Sequence, residues 1–142
     1  MITPTALREQ ECVFARAFAA GDIAQARPLY HPEVVYLSPT VRLFDWPARI
    51  EGVDRALEFI GLTIRGLHDI DYHAVELAIG RSGDSAFVRI HFDWTRERVR
   101  LRSNYVVIYR YRDGRIGQQE LYYDPSGRLE VLSAESSPHR EV

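Results

Sequence analysis

The feature that most constrains this chain is a change of hydrophobic period halfway along it. After the first seventy-odd residues, apolar side chains recur at every second position, the spacing that gives a strand one buried face. Val75, Leu77 and Ile79 alternate with Glu76 and Ala78, and Ser82-Gly83-Asp84 then supplies a turn. Val88, Ile90, Phe92 and Trp94 alternate with Arg89, His91 and Asp93. Val99, Leu101, Ser103, Tyr105, Val107, Tyr109 and Tyr111 alternate with a face made mostly of arginine. Asp113-Gly114 is a strong hairpin signal, and a last strand is predicted from Arg115 to about Asp124. Pairing about the Gly83 turn places Val75 opposite Ile90 and Leu77 opposite Val88.

The first half has a different period. Leu7, Val13, Phe14, Ala17 and Phe18 recur at helical spacing, which predicts a helix over residues 4 to 20. Gly21 suits a left-handed helix end, and Asp22 suits the cap of a second helix carrying Ile23, Ala26, Leu29 and Tyr30. Val34 to Leu37 reads as a short strand, residues 40 to 51 as a loop, and Val53, Leu57, Ile60, Ile64 and Leu67 as the stripe of a third helix. This order predicts an α+β fold: a cone-shaped, curved antiparallel (mixed) sheet with three N-terminal helices enclosing a cavity. One domain is expected over residues 1–132, with a polar, disordered tail over 133–142.

Composition narrows the function. All 18 basic residues are arginine, so Schiff-base chemistry, pyridoxal-phosphate attachment and a P-loop lysine are excluded. The single cysteine, Cys12, excludes an internal disulfide or a CxxC site. A formal charge of -2 gives no general attraction to nucleic acid or anionic membrane. No apolar stretch approaches the roughly 20 residues of a membrane span, and Met1 to Gln10 lacks a signal pattern, so a cytoplasmic location is expected.

Several segments together resemble the SnoaL-like family of the nuclear-transport-factor-two-like superfamily. They are Ala20-Gly21-Asp22, the run from Leu29 through His31-Pro32-Glu33 to Tyr36, Gly52-Val53-Asp54-Arg55-Ala56-Leu57-Glu58-Phe59, and Tyr109-Arg110-Tyr111-Arg112-Asp113-Gly114-Arg115-Ile116. The resemblance implies the cone fold, which hosts isomerases, cyclases, dehydratases, epoxide hydrolases and non-catalytic modules. It also implies where catalytic groups would stand. The ketosteroid-isomerase tyrosine, base and oxyanion-hole acid fall at Phe14, Ser38 and Val107, the cyclase aspartate at Leu121, and two epoxide-hydrolase positions at Ile90 and Phe92. None of these side chains performs that chemistry.

Other residues remain as acid/base candidates. Asp71 and His73 share the parity of Val75, which points them into the cavity about 7 Å apart along the strand. A carboxylate beside an imidazole raises its basicity and orients it; alternatively, the strand's first residues project past the rim into water. Asp45 and Trp46 precede the third helix, near the cavity mouth that the resemblance implies, as a candidate acid and a candidate lid. In the last strand a bulged turn sends Gln119, Leu121 and Tyr123 inward, whereas a two-residue turn sends Gln118, Glu120 and Tyr122 inward and makes Glu120 the best acid. The bulged form is preferred because it buries Leu121 instead of Glu120.

Phe14, Phe18, Tyr36, Ser38, Trp46, Phe92, Trp94, Tyr105, Tyr109, Gln119 and Tyr123 are the expected ligand wall, suited to a flat, partly oxygenated molecule, unless they are plain core packing. The run from His68 to His73 has no fixed metal-ligand spacing; no metal and no cofactor are expected. Val106, Ile108 and Arg110 on the convex face are the expected homodimer surface, with nucleic acid and membrane excluded as partners. Two functions fit: a cofactor-independent isomerase, cyclase or lyase acting by acid/base chemistry, or a non-catalytic ligand-binding or dimerising accessory protein.

Overall fold

A computed structural model describes residues 1–134 of the chain. Helix α1 spans Pro4–Ala19; Thr3 caps it by accepting a hydrogen bond from the Ala6 amide at 3.1 Å, and proline opens its first turn. It ends where Gly21 takes φ +66°, with the Asp22 amide donating back to the Ala17 carbonyl at 2.9 Å. The second helix, Ile23–Leu29, is a 3₁₀ helix, and Asp22 makes no side-chain cap to it. Pro28 lies inside it, lacks an N–H and restricts the residue before it, so a regular α-helix does not propagate. Helix α2 spans Val53–Ile64. The segment expected to be loop contains a 3₁₀ turn, Pro39–Leu43, and a two-residue strand.

Among the described residues seven strands form one curved, open sheet: β1 Tyr30–Leu37, β2 Ile50–Glu51, β3 His68–Ile79, β4 Ser85–Arg96, β5 Val99–Arg112, β6 Arg115–Tyr123 and β7 Glu130–Ala134. Their order is β2-β1-β6-β5-β4-β3, with β7 beside the first half of β5. Only the β1–β6 pair is parallel, so the sheet is mixed. Strand β7 occupies part of the segment expected to be a disordered tail: Ser133 pairs with Arg100 and Ala134 with Val99. Residues 135–142 of that expected tail lie outside the described residues. No described helix is long and apolar enough to cross a membrane.

The concave faces of β4 and β5 are as the alternation predicts: Val88, Ile90, Phe92, Tyr105, Val107 and Tyr109 are all buried. Strand β3 departs from prediction. Leu77 faces Val88, but Ala74 rather than Val75 faces Ile90, because a bulge between Ala74 and Glu76 inserts one extra residue. One extra residue inverts the facing of the residues before it, as far as a second register shift between His68 and Asp71. Ile70 and Tyr72 therefore point inward, Asp71 and His73 point out, and Val75 is 43% exposed.

A second bulge sets the last strand. The Asp113-Gly114 turn has two residues, both at positive φ (+53° and +76°), as a type I′ hairpin requires. Arg110 pairs with Gln118 but Tyr111 with Ile116, so Gly117 is the extra residue, and Gln119 and Leu121 turn inward. The inward set is the preferred one, achieved by a bulge beyond the turn and not in it. A Cβ at Gly117 would sit 2.9 Å from the Arg112 Cβ, so the bulge depends on glycine. Gly117→Val is expected to lower unfolding free energy by about 1–3 kcal/mol in urea titrations; unchanged stability would show that the bulge tolerates a side chain.

Candidate functional site

The site begins on α1. Leu7, Phe14, Ala17 and Phe18 form its buried stripe, and Gln10 and Glu11 occupy the same stripe one turn after Leu7. Both are almost wholly buried, 5% and 4% exposed. A carboxyl group in that position must be hydrogen-bonded or neutral, and the strands opposite supply partners. The Tyr72 hydroxyl stands 2.6 Å from Glu11 Oε1; the Tyr109 hydroxyl and Gln10 Nε2 each stand 3.0 Å from Oε2. The Tyr111 hydroxyl donates to Gln10 Oε1 at 2.8 Å. Beside this group, the Tyr30 hydroxyl donates to Gln119 Oε1 at 2.6 Å.

Burial pushes the Glu11 carboxyl above its ordinary value of 4.5, against the opposing pull of the hydrogen bonds from Tyr72, Gln10 and Tyr109. Burial also pushes up the Tyr72 and Tyr109 phenols, and the nearby Glu11 adds to this. These phenols are therefore hydrogen-bond donors and not acids. Sequence reasoning missed Glu11, although its signal was present: two polar residues at helix positions that continue an apolar stripe.

Nearer the mouth lies a second polar layer. The Ser38 and Thr40 hydroxyls are 2.7 Å apart, and Ser38 is close enough to act on the Tyr36 and Tyr123 phenols. Burial nevertheless raises both phenols, Tyr123 to about 12. Tyr105, 8% exposed, stacks near Tyr123 with ring centroids 5.0 Å apart. Phe92 links the layers, 6.4 Å from Tyr105, 5.9 Å from Trp94 and 5.2 Å from Phe18. Trp94 Nε1 is buried without a hydrogen-bond partner among the described residues. Above Tyr123 opens a cavity of ≈ 310 Å³ between the Pro39–Leu43 turn, Ser103 and Asn104 of β5, and the segment around Leu129.

The residues expected to form a ligand wall come together on the concave side as packed core: Phe14, Phe18, Tyr36, Ser38, Phe92, Tyr105, Tyr109 and Gln119 are buried, Trp94 and Tyr123 are partly buried, and of these Tyr123 alone lines the cavity above. Trp46 is not a free lid. It packs on Phe59 at 5.1 Å and carries the Arg55 guanidinium 4.3 Å above its ring. The four predicted acids and bases are not in the cone. Asp71 and His73 pair with each other at 2.9 Å on the outer face, each about half exposed, because the β3 bulge reverses their facing. Asp45 is exposed in its loop, at a turn position with φ +58°. Glu120 faces the convex side, held by Gln118, by Tyr122 at 2.7 Å and by Arg110 at 3.6 Å, because the Gly117 bulge turns Gln119 inward in its place. Among the described residues no three His, Cys, Asp or Glu side chains converge as a metal site.

The raised Glu11 carboxyl has a stability consequence of definite sign. The folded chain holds this proton more tightly than the unfolded one. The stabilisation is therefore complete below the ordinary value of 4.5 and is lost as pH rises through the folded value. Glu11→Gln keeps the shape without the titration. Its unfolding free energy, compared with wild type in urea titrations across pH, is expected to gain on wild type steadily from about pH 4.5 upward; parallel curves would count against a raised carboxyl.

A family profile described as a SnoaL-like domain matches residues 13–118. Among solved structures, RV0760c from Mycobacterium tuberculosis is similar at 15% identity and TM-score 0.72, with 92% of this chain and 99% of that one covered. TsrD from Streptomyces laurentii is similar at 20% identity and TM-score 0.70, covering 89% and 94%. SalBIII, described as an epoxide hydrolase/cyclase-like enzyme in pyran ring formation in polyether salinomycin, is similar at 16% identity and TM-score 0.68, covering 93% and 100%. At these identities the structures establish the shared fold; among curated proteins none matches. The profile spans most of the chain, and the protein belongs to the SnoaL-like family.

Proposed function

We propose that this protein binds a small, largely apolar, oxygenated organic molecule in its cone and acts on it by acid/base chemistry without a cofactor, as an isomerase, cyclase or lyase. The observation that carries the reading is Glu11, a buried carboxyl inside the cone with a raised proton affinity, aligned with neutral phenols. A carboxyl that holds its proton more tightly than usual suits general acid catalysis.

The hydrogen-bond arithmetic gives the mechanism. An ionised Glu11 accepts from both Tyr72 and Tyr109 and uses both phenol protons. A protonated Glu11 that donates its own O–H to one phenol oxygen frees that phenol's O–H for another acceptor. Proton uptake at Glu11 thus presents a phenolic donor to a substrate oxygen, where it stabilises the enolate-like charge that develops as solvent water takes the α-proton. Tyr105, close enough to feel Glu11, Tyr30, Tyr36 and Tyr123, is the next donor along the cone. This role passes from Asp71, His73, Asp45 and Glu120, which stand outside.

An assay that needs no knowledge of the product is deuterium exchange from solvent into an enolisable ketone of suitable size, such as 2-tetralone, followed by NMR. Wild type is expected to accelerate exchange, Glu11→Gln to lose that acceleration by about 10²–10⁴-fold, and Asp71→Asn or His73→Gln to keep it. No acceleration by wild type, or full activity in Glu11→Gln, would sink the catalytic reading. What would then stand is a non-catalytic binding module. The observation favouring that second reading is that every Glu11 oxygen already has a protein partner, as in a purely structural network.

We also propose that two copies associate through the convex sheet face. Phe87 and Tyr122 are 40% and 55% exposed there beside half-buried Val106 and Ile108. Arg89 and Arg110 alternate with Glu76 and Glu120 around them, a pattern of both signs that can complement a copy of itself. Ile108→Asp is expected to halve the mass measured by light scattering; an unchanged mass would exclude this face.

A further inference from the structure

The cavity at the cone mouth holds a charge arrangement that neither the fold nor Glu11 requires. It is lined by Arg42, from the Pro39–Leu43 turn, and by Arg128, from the segment leading into β7. Both are exposed, and neither side chain has an ion-pair or hydrogen-bond partner among the described residues. The one carboxylate in the same lining, Asp124, is engaged with the Ser126 amide at 2.8 Å. Tyr123 and Ser103 belong to the same lining, and the Tyr123 ring lies 5.0 Å from that of buried Tyr105. Two arginines and an aromatic ring therefore line one cavity, in a protein whose formal charge is -2.

We propose that this mouth is an anion subsite, and that the molecule taken by the cone is a monoanion: a flat, apolar ring system carrying a carboxylate that stays at the rim between Arg42 and Arg128. Arginine's planar fork matches a carboxylate bidentately, while an aromatic floor accepts a ring face. With the carboxylate fixed at the rim, the ring body lies over Tyr123 and its far, oxygenated end points toward Tyr105. The arrangement orders the ligand along the cone axis, charged end out and reactive end in. This rests on the reading that the cone takes a small organic ligand, and it names the class of that ligand.

Two probes of equal shape separate the ideas: 2-naphthoate and 2-naphthamide, titrated calorimetrically into wild type and into the double variant Arg42→Gln/Arg128→Gln. Wild type is expected to bind 2-naphthoate roughly tenfold or more tighter than 2-naphthamide, as charge-assisted hydrogen bonds allow. The double variant is expected to erase that preference and leave 2-naphthamide binding unchanged. Raising salt should weaken only 2-naphthoate and only in wild type. Equal affinity of wild type for both probes, or a preference that survives in the double variant, would overturn the subsite while leaving the cone as a binding site. Failure of both probes to bind wild type would overturn the subsite and the cone reading together. Both substitutions lie on exposed side chains outside the core, so a folded variant is expected and circular dichroism verifies it.

Discussion

A carboxyl group that has lost its water must find hydrogen-bond donors or keep its proton, and much of this molecule is organised around one such group. Glu11 sits on the inner stripe of α1, where an apolar residue would pack with less demand. Its presence obliges Tyr72 of β3 and Tyr109 of β5 to aim their hydroxyls at one point. Gln10 extends the same group to Tyr111. The helix is thereby located against particular strands, and not merely against an apolar surface, since an apolar stripe alone would tolerate sliding and rotation. Phe14, one turn further on, stacks near Tyr109 and meets Tyr30 edge-on, so the aromatic packing and the polar contacts agree on a single position.

That convergence depends on two irregularities in the sheet. Regular pairing through β3 would turn Tyr72 outward and bring Asp71 and His73 in. The bulge after Ala74 does the reverse and delivers the phenol to Glu11. In β6 the bulge at Gly117 places Gln119 where it meets Tyr30, and leaves Glu120 on the outside with Arg110. In each case one extra residue decides whether an amphipathic strand offers ionisable groups or phenols and amides to the interior. Both bulges favour neutral hydrogen-bonding groups inside, which agrees with the cost of burying charge.

The interior is consequently graded along its length. The deep end is a closed network of carboxyl, amide and phenol groups. The middle is a set of aromatic rings linked through Phe92, and the mouth is hydroxyl-lined, with a cavity and two arginines above it. The positions that the family resemblance assigns to strand carboxylates, Ser38, Val107 and Leu121, are hydroxylic or apolar here.

Much of the fold was legible in the sequence, because periodicity is a local property. Alternation over Val88–Trp94 and Val99–Tyr111 fixes which side chains share a face in any antiparallel pairing, and the helical stripe from Leu7 to Phe18 fixes what α1 buries. The aromatic wall followed from those two patterns, as did the positive-φ ends at Gly21 and Gly114. Bulges leave no comparable mark: Val75 has the ordinary character of a strand residue, and only pairing with β4 shows that it is supernumerary. The facing of Asp71 and His73 was thus settled by register between strands. Glu11 was visible as a polar residue within an apolar stripe, but a helix by itself cannot show whether its stripe meets hydrocarbon or hydroxyl groups. The sequence alone determined which residues face the same way; the tertiary structure decided what they face, because that depends on distant segments meeting at an offset that local spacing does not encode.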